Sequence, residues 1–137
     1  LINATTSNEL SKYHLEAGIA YWHTTKTDKN KWDYILKLYN QLILIEYSPI
    51  TALNRTFAFA KVYGNEEAIP VAKRLNLVES NYYHELLGYL YSNVNIERAI
   101  EHYKQAINLS KSNTERQTLS KKIKKLSLIL KKSEISH

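Results

Sequence analysis

Cysteine and methionine are both absent from this chain, and glycine and proline are scarce, with three and two among 137 residues. Without cysteine there is no disulfide, no thiolate nucleophile and no cysteine-bound metal, a composition that suits a reducing compartment and points to the cytoplasm. So few glycines and prolines leave too few breaks for a many-stranded sheet and suit helices joined by short turns, so the expected class is all-α. Apolar runs stay short, Leu42 to Ile45 being typical, far below the roughly 18–20 residues needed to cross a bilayer. No charged-then-apolar leader opens the chain, so neither a membrane span nor secretion is expected. Because the chain opens Leu1-Ile2-Asn3 with no initiator methionine, it is expected to be the C-terminal fragment of a longer protein.

Patterns that carry catalysis are missing as well. There is no nucleophile-elbow glycine pattern and no phosphate-cradling loop, and the acids are scattered at helix starts. His14, His23, His84 and His102 show no i, i+4 pair flanking a glutamate, the spacing by which a zinc-protease helix holds its metal. No enzyme, cofactor or metal site is expected.

What is present is enough apolar residue, 44% of the chain, to build one helical domain over 1–137. A chain of this size buries roughly 65–70% of the surface its unfolded form exposes. The net charge of +6 is concentrated at one end: residues 111–137 hold eight Lys or Arg against two acids, while residues 1–110 hold 11 of each. The basic character therefore belongs to the final helix and not to the domain as a whole.

Apolar spacing predicts seven helices, at about 8–25, 30–46, 49–63, 66–76, 81–93, 96–110 and 113–131. In the first, Leu10, Tyr13, Ala17 and Tyr21 recur three and four apart and are expected to form the buried face. The second carries Trp32, Ile35, Leu36, Tyr39, Leu42 and Ile43 as a wide apolar stripe. Ser48 caps the third, with Pro49 at the position where no N–H is needed and Gly64 at the far end. Asn65, Ser80 and Asn95 are the expected caps of the next three, and Ser112 or Asn113 that of the last. Glu66 and Glu67 favour the positive end of the fourth helix, where Pro70 removes one backbone bond. Leu86, Leu87, Leu90 and Tyr91 give the fifth its stripe, Ala99, Tyr103, Ala106 and Ile107 the sixth, and Leu119, Ile123, Leu126 and Leu130 the seventh.

Short turns imply antiparallel neighbours, and 81–109 resembles a tetratricopeptide repeat through Leu87-Gly88, Tyr91, Ala99, Tyr103 and Ala106, with an echo at Ala60, Gly64 and Ala68. The expected architecture is a set of antiparallel helix pairs in a tetratricopeptide-like α-α superhelix. A longer ordered pattern includes Leu15-Glu16-Ala17, Trp32, Leu38-Tyr39, the segment Ser48 to Arg55, Tyr83-His84, Tyr103-Lys104 and Thr114 to Gln117. On these residues the chain resembles the C-terminal, tetratricopeptide-like extension of a subgroup of ECF-type bacterial RNA polymerase sigma factors. It differs from that pattern at Thr56-Phe57, where the family often has Ala-Val, and at Val94-Asn95, where a glycine is usual.

The resemblance implies a regulatory, protein-interaction domain in transcription initiation. Such a domain docks on the upstream sigma regions or on core RNA polymerase, and DNA is contacted mainly through those upstream regions. The alternative is a stand-alone tetratricopeptide-like scaffold that holds a peptide or protein partner. The candidate partner-binding residues are Asn54, Arg55, Tyr82, Tyr89, Lys121, Lys122 and Lys125. Each has a plainer role open to it. Asn54 and Arg55 can be satisfied internally, Arg55 by an acid such as Glu16 or Glu46. The tyrosines, 11 in all, can be ordinary packing, and the lysines a solvated helix face.

Overall fold

The structure, a computed structural model, describes residues 4–25 and 29–135. They form seven α-helices and, among the described residues, no strand: α1 (Ala4–Thr24), α2 (Lys31–Ile45), α3 (Pro49–Tyr63), α4 (Asn65–Leu75), α5 (Asn81–Tyr91), α6 (Ile96–Leu109) and α7 (Asn113–Ile135). The helix count and order match the apolar spacing. The outer ends differ most, since α1 starts at Ala4 and α7 runs on to Ile135.

Side-chain caps set several of the boundaries. The Ser48 hydroxyl accepts from the Thr51 amide at 3.1 Å, Ser80 from Tyr83 at 3.4 Å, and Asn95 from Arg98 at 3.1 Å. Each satisfies a first-turn donor that the helix itself leaves open. Ser112 does the same for Glu115 at 3.3 Å, so Ser112 is the cap of α7 and Asn113 its first residue. Asn65 departs from expectation: it is the first residue of α4, and its side-chain amide donates to Asn93 at 3.1 Å. Gly64 closes α3 at φ 101, a backbone state that costs a side-chain-bearing residue strain.

By its internal contacts the chain resolves into two compact units, Leu1–Gly64 and Asn65–His137. In the first unit α2 packs on both α1 and α3. Ile35, Leu36 and Ala58 are its buried centre, ringed by Trp22, Trp32, Tyr39, Phe59 and Val62. Thr56 is buried too, and its hydroxyl donates to the Ala52 carbonyl at 2.8 Å, so a polar group sits inside without an unmet bond.

The first helix corrects the expected face. Leu10, Tyr13 and Tyr21 are 47%, 67% and 64% exposed, and Ala17 is exposed with them. The side of α1 that meets α2 is Lys12, Leu15, Gly18, Ile19 and Trp22. Two apolar stripes run along α1, and packing selects the one that seats the Trp22 indole on Tyr34, rings stacked 4.4 Å apart. Lys12, at the edge of that side, reaches Glu46 at 3.0 Å.

In the second unit α5 packs on α4 and α6, and α6 packs in turn on α7. Leu86, Leu87, Leu90, Tyr91, Ala99, Tyr103, Ala106, Leu119 and Leu126 form the core, as the helical spacing indicates. Gly88 faces the ring of Tyr103 so closely that a Cβ there would lie 2.7 Å from two ring carbons. That approach brings the backbone of α5 against α6.

Gly88→Ala is therefore expected to destabilise the protein by about 1–3 kcal/mol through overpacking, in spite of alanine's better helix propensity. Urea unfolding checks this; an unchanged or raised midpoint would mean that the Tyr103 ring moves aside freely.

Candidate partner-binding surface

The helical register of α5 sorts its tyrosines. Tyr83 and Tyr91 are 5% and 6% exposed and belong to the core, whereas Tyr82 is 48% exposed and Tyr89 half-buried. Tyr82, Glu85 and Tyr89, three and four apart, therefore share one outward stripe. Beside it runs the first half of α7. Two contacts tie the two helices, Asn81 Nδ2 donating to Glu115 Oε2 at 3.4 Å and Lys122 Nζ lying 3.8 Å from Glu85 Oε1, and the same ammonium sits 5.7 Å from the centre of the Tyr103 ring on α6.

The corner that delivers α7 to this position is polar and fully engaged. Buried Ser110 donates through its hydroxyl to Glu115 Oε2 at 2.9 Å, and Arg116 Nη1 donates to the Ser110 carbonyl at 2.6 Å. Glu115 thus binds the end of α6 and the start of α5 at once. A small cavity of about 120 Å³ lined by Glu85, Thr114, Glu115, Thr118 and Leu119 lies between the helices. An open cleft of about 480 Å³ shares Glu115 with it and is edged by Glu79, Asn81, Tyr82, Lys111 and Ser112. The surface so built offers two phenol rings beside mixed charges. It can bind a protein segment through aromatic contact and rim hydrogen bonds.

Tyr103 lies beneath this surface, 3% exposed. Burial above all, and then the Glu85 and Tyr89 charges, push its hydroxyl up to about 12. The neutral phenol is therefore the form the fold holds.

The other candidates fall elsewhere. Lys121 is exposed and, with Lys124, Arg116 and Gln117, edges a separate open cleft of about 400 Å³ on α7. Lys125 is exposed on the same helix. Asn54 and Arg55 belong to the first unit, where Asn54 is exposed and Arg55 Nε donates to Asn40 Oδ1 at 2.6 Å. Arg55 thus finds an amide on α2 rather than Glu16 or Glu46, and Glu46 is instead met by Lys12. Among the described residues no group of three or more His, Asp or Glu side chains can hold a metal ion. No helix among them is long and apolar enough to cross a membrane.

One meeting escaped the sequence. His84 on α5 and His102 on α6 touch, Nδ1 to Nδ1 at 3.1 Å. The signal was there in principle: in an antiparallel hairpin turning near Asn93, residues 84 and 102 stand equally far from the turn.

No protein-family model and no curated protein matches this chain. A solved structure does: the first tetratricopeptide domain of the human RPAP3 protein, determined by NMR, superposes with a TM-score of 0.71 over 95% of this chain and 99% of that one, at 18% sequence identity. The fold is tetratricopeptide-like. At that identity the likeness speaks for the fold alone, and within it α5 and α6 form the helix pair that carries the repeat residues Gly88, Ala99, Tyr103 and Ala106.

Two outcomes follow from this placement. Tyr82→Ala is expected to change stability by no more than about 0.5 kcal/mol, whereas Leu87→Ala, in the core of the same helix, costs about 2–5 kcal/mol. Parallel urea titrations test both, and a large loss for the tyrosine variant would make it a packing residue. For Tyr103 the folded-state value is raised, so its contribution is complete below about pH 10 and is lost as the pH climbs toward 12. Tyr103→Phe should flatten that part of the alkaline unfolding curve.

Proposed function

We propose that this chain is a non-catalytic protein-interaction scaffold that engages its partner through the α5–α7 face of the second unit. The observation that carries the reading is exposed Tyr82, in one stripe with half-buried Glu85 and Tyr89, standing beside α7 on a tetratricopeptide-like frame. Tyrosine supplies a large contact area with few rotatable bonds, so ordering it on binding costs little entropy. Helix-pair stacks of this kind take extended peptides or helices along their faces. No catalytic step enters: the partner is positioned, and the consequence lies in what it is positioned against.

The finer reading, supported by the ordered sequence resemblance across residues 15–126, is that the partner belongs to the transcription machinery. The chain would then act as the regulatory extension of an ECF-type sigma factor, docking on the upstream sigma regions or on core RNA polymerase. Holding those regions in a competent arrangement and masking them are both compatible with a docking scaffold.

Two experiments separate the levels. A photo-crosslinking benzoylphenylalanine at position 82 should capture one discrete partner, while the same group at the exposed Lys104 position of α6 should not; equal labelling from both would overturn the surface assignment. Run-off transcription with core polymerase, comparing the intact parent with a version truncated before Leu10, tests the finer reading. A change in either direction supports it, and identical activity defeats it. In that assay Tyr82→Ala should reproduce part of the truncation's effect, with the unfolding midpoint nearly unmoved.

A further inference from the structure

His84 is 4% exposed, and both of its ring nitrogens are committed. Nε2 lies 2.9 Å from the carbonyl oxygen of Val78, in the connection between α4 and α5. A carbonyl only accepts, so Nε2 must carry the proton, and the neutral ring then has a lone pair at Nδ1. That lone pair faces Nδ1 of His102 at 3.1 Å, which must therefore be the donor. Hydrogen bonding alone thus assigns both tautomers: Nε2–H on His84 and Nδ1–H on His102.

The arrangement has a definite proton capacity. A proton added to Nε2 of His102 leaves the contact intact, because Nδ1–H still donates. A second proton has only Nδ1 of His84 to occupy, and there two N–H groups would confront each other across 3.1 Å inside the helix pair. We propose that the His84–His102 contact is a built-in acid-sensitive latch, closed while the pair holds at most one extra proton and forced open by the second. Opening breaks the α5–α6 contact at this point, while Nε2–H of His84 still donates to the Val78 carbonyl.

The surroundings resist even the first proton. His102 stacks on Tyr91 with rings 5.6 Å apart and nearly parallel, and it also lies 5.4 Å from the His84 ring, while Tyr83 meets His84 edge-on. Lys73 from α4 and Arg98 from α6 both cap the Tyr91 ring, at 5.8 and 5.9 Å. Burial first, then the charge of His84, and then Lys73 and Arg98 pull His102 below the ordinary histidine value, with Glu101 opposing them. The charged α7 side chains on the α5–α6 side, Glu115 and Lys122, are engaged by Ser110 and Asn81 and by Glu85. For a histidine whose folded-state value is depressed, stability is complete above the unfolded-state value of about 6.5 and is lost as the pH falls.

The latch does not depend on the identity of any partner, and it is tested on the full chain alone. Each proton by which the unfolded state exceeds the folded one lowers the folding constant about tenfold per pH unit. His84→Gln keeps both bonds, its carbonyl accepting from His102 and its amide donating to Val78, but it removes the site of the second proton. Between about pH 7.5 and 5.5 the wild-type folding constant should fall more than that of H84Q, by up to about tenfold, a comparison in which the remaining histidines cancel. The same dependence in both proteins would overturn the proposal. Nitrogen-15 NMR titration of the wild type gives a second reading that needs no variant. The expected result is the two named tautomers at neutral pH and two coupled steps at least about one unit apart. Two independent titrations near the ordinary value, or the opposite tautomers, would refute the latch even if H84Q failed to fold.

Discussion

The close approach of α5 to α6 at Gly88 is the constraint on which the second unit rests. With no side chain at that position, the Tyr103 ring lies against the α5 backbone at a distance no Cβ would permit. That ring is in turn where α7 anchors, through Lys122 above it. The order Gly88, Tyr103, Lys122 runs through three helices, and the outward stripe of Tyr82, Glu85 and Tyr89 has its position because its helix is held there. A hydrogen atom at one position thus sets the spacing that a surface more than one helix wide depends on.

Polar groups inside the protein are handled with the same economy. Among the described residues no buried side-chain nitrogen or oxygen lacks a hydrogen-bond partner. Thr56 donates to Ala52, Ser110 to Glu115, and His84 uses both ring nitrogens. Leaving any one unmet would cost on the order of 1–3 kcal/mol, which is a sizeable part of a small domain's net stability. Two of these groups also join elements distant in sequence: Glu115 links three helices at one corner, and His84 links a connection, a helix and that helix's neighbour.

Much of the fold was legible in the residues. Seven helices follow from apolar spacing, Ser48, Ser80, Asn95 and Ser112 act as caps, and Gly64 ends its helix, because each of these is a local interaction within four residues of the chain. The stripes of α2, α5, α6 and α7 also lie inward as their spacing indicates, since each has a single wide apolar face. The first helix was not legible in the same way. It has two apolar stripes, and Leu10, Tyr13 and Tyr21 were as plausible a buried set as Leu15, Ile19 and Trp22 until α2 supplied a surface that fitted only one. The division of the chain at Gly64 was equally invisible, because it is a property of contacts and not of composition.

Sequence by itself determined the class, the helices and their ends, and the absence of cysteine chemistry, since all of these depend on residue type and on neighbours along the chain. Tertiary structure alone decided which of four clustered tyrosines face outward, which partner Arg55 takes, and that His84 meets His102. Those outcomes depend on the angle and register at which one helix lies against another. Helix packing sets these through the fit of many side chains at once, and no short stretch of sequence encodes it.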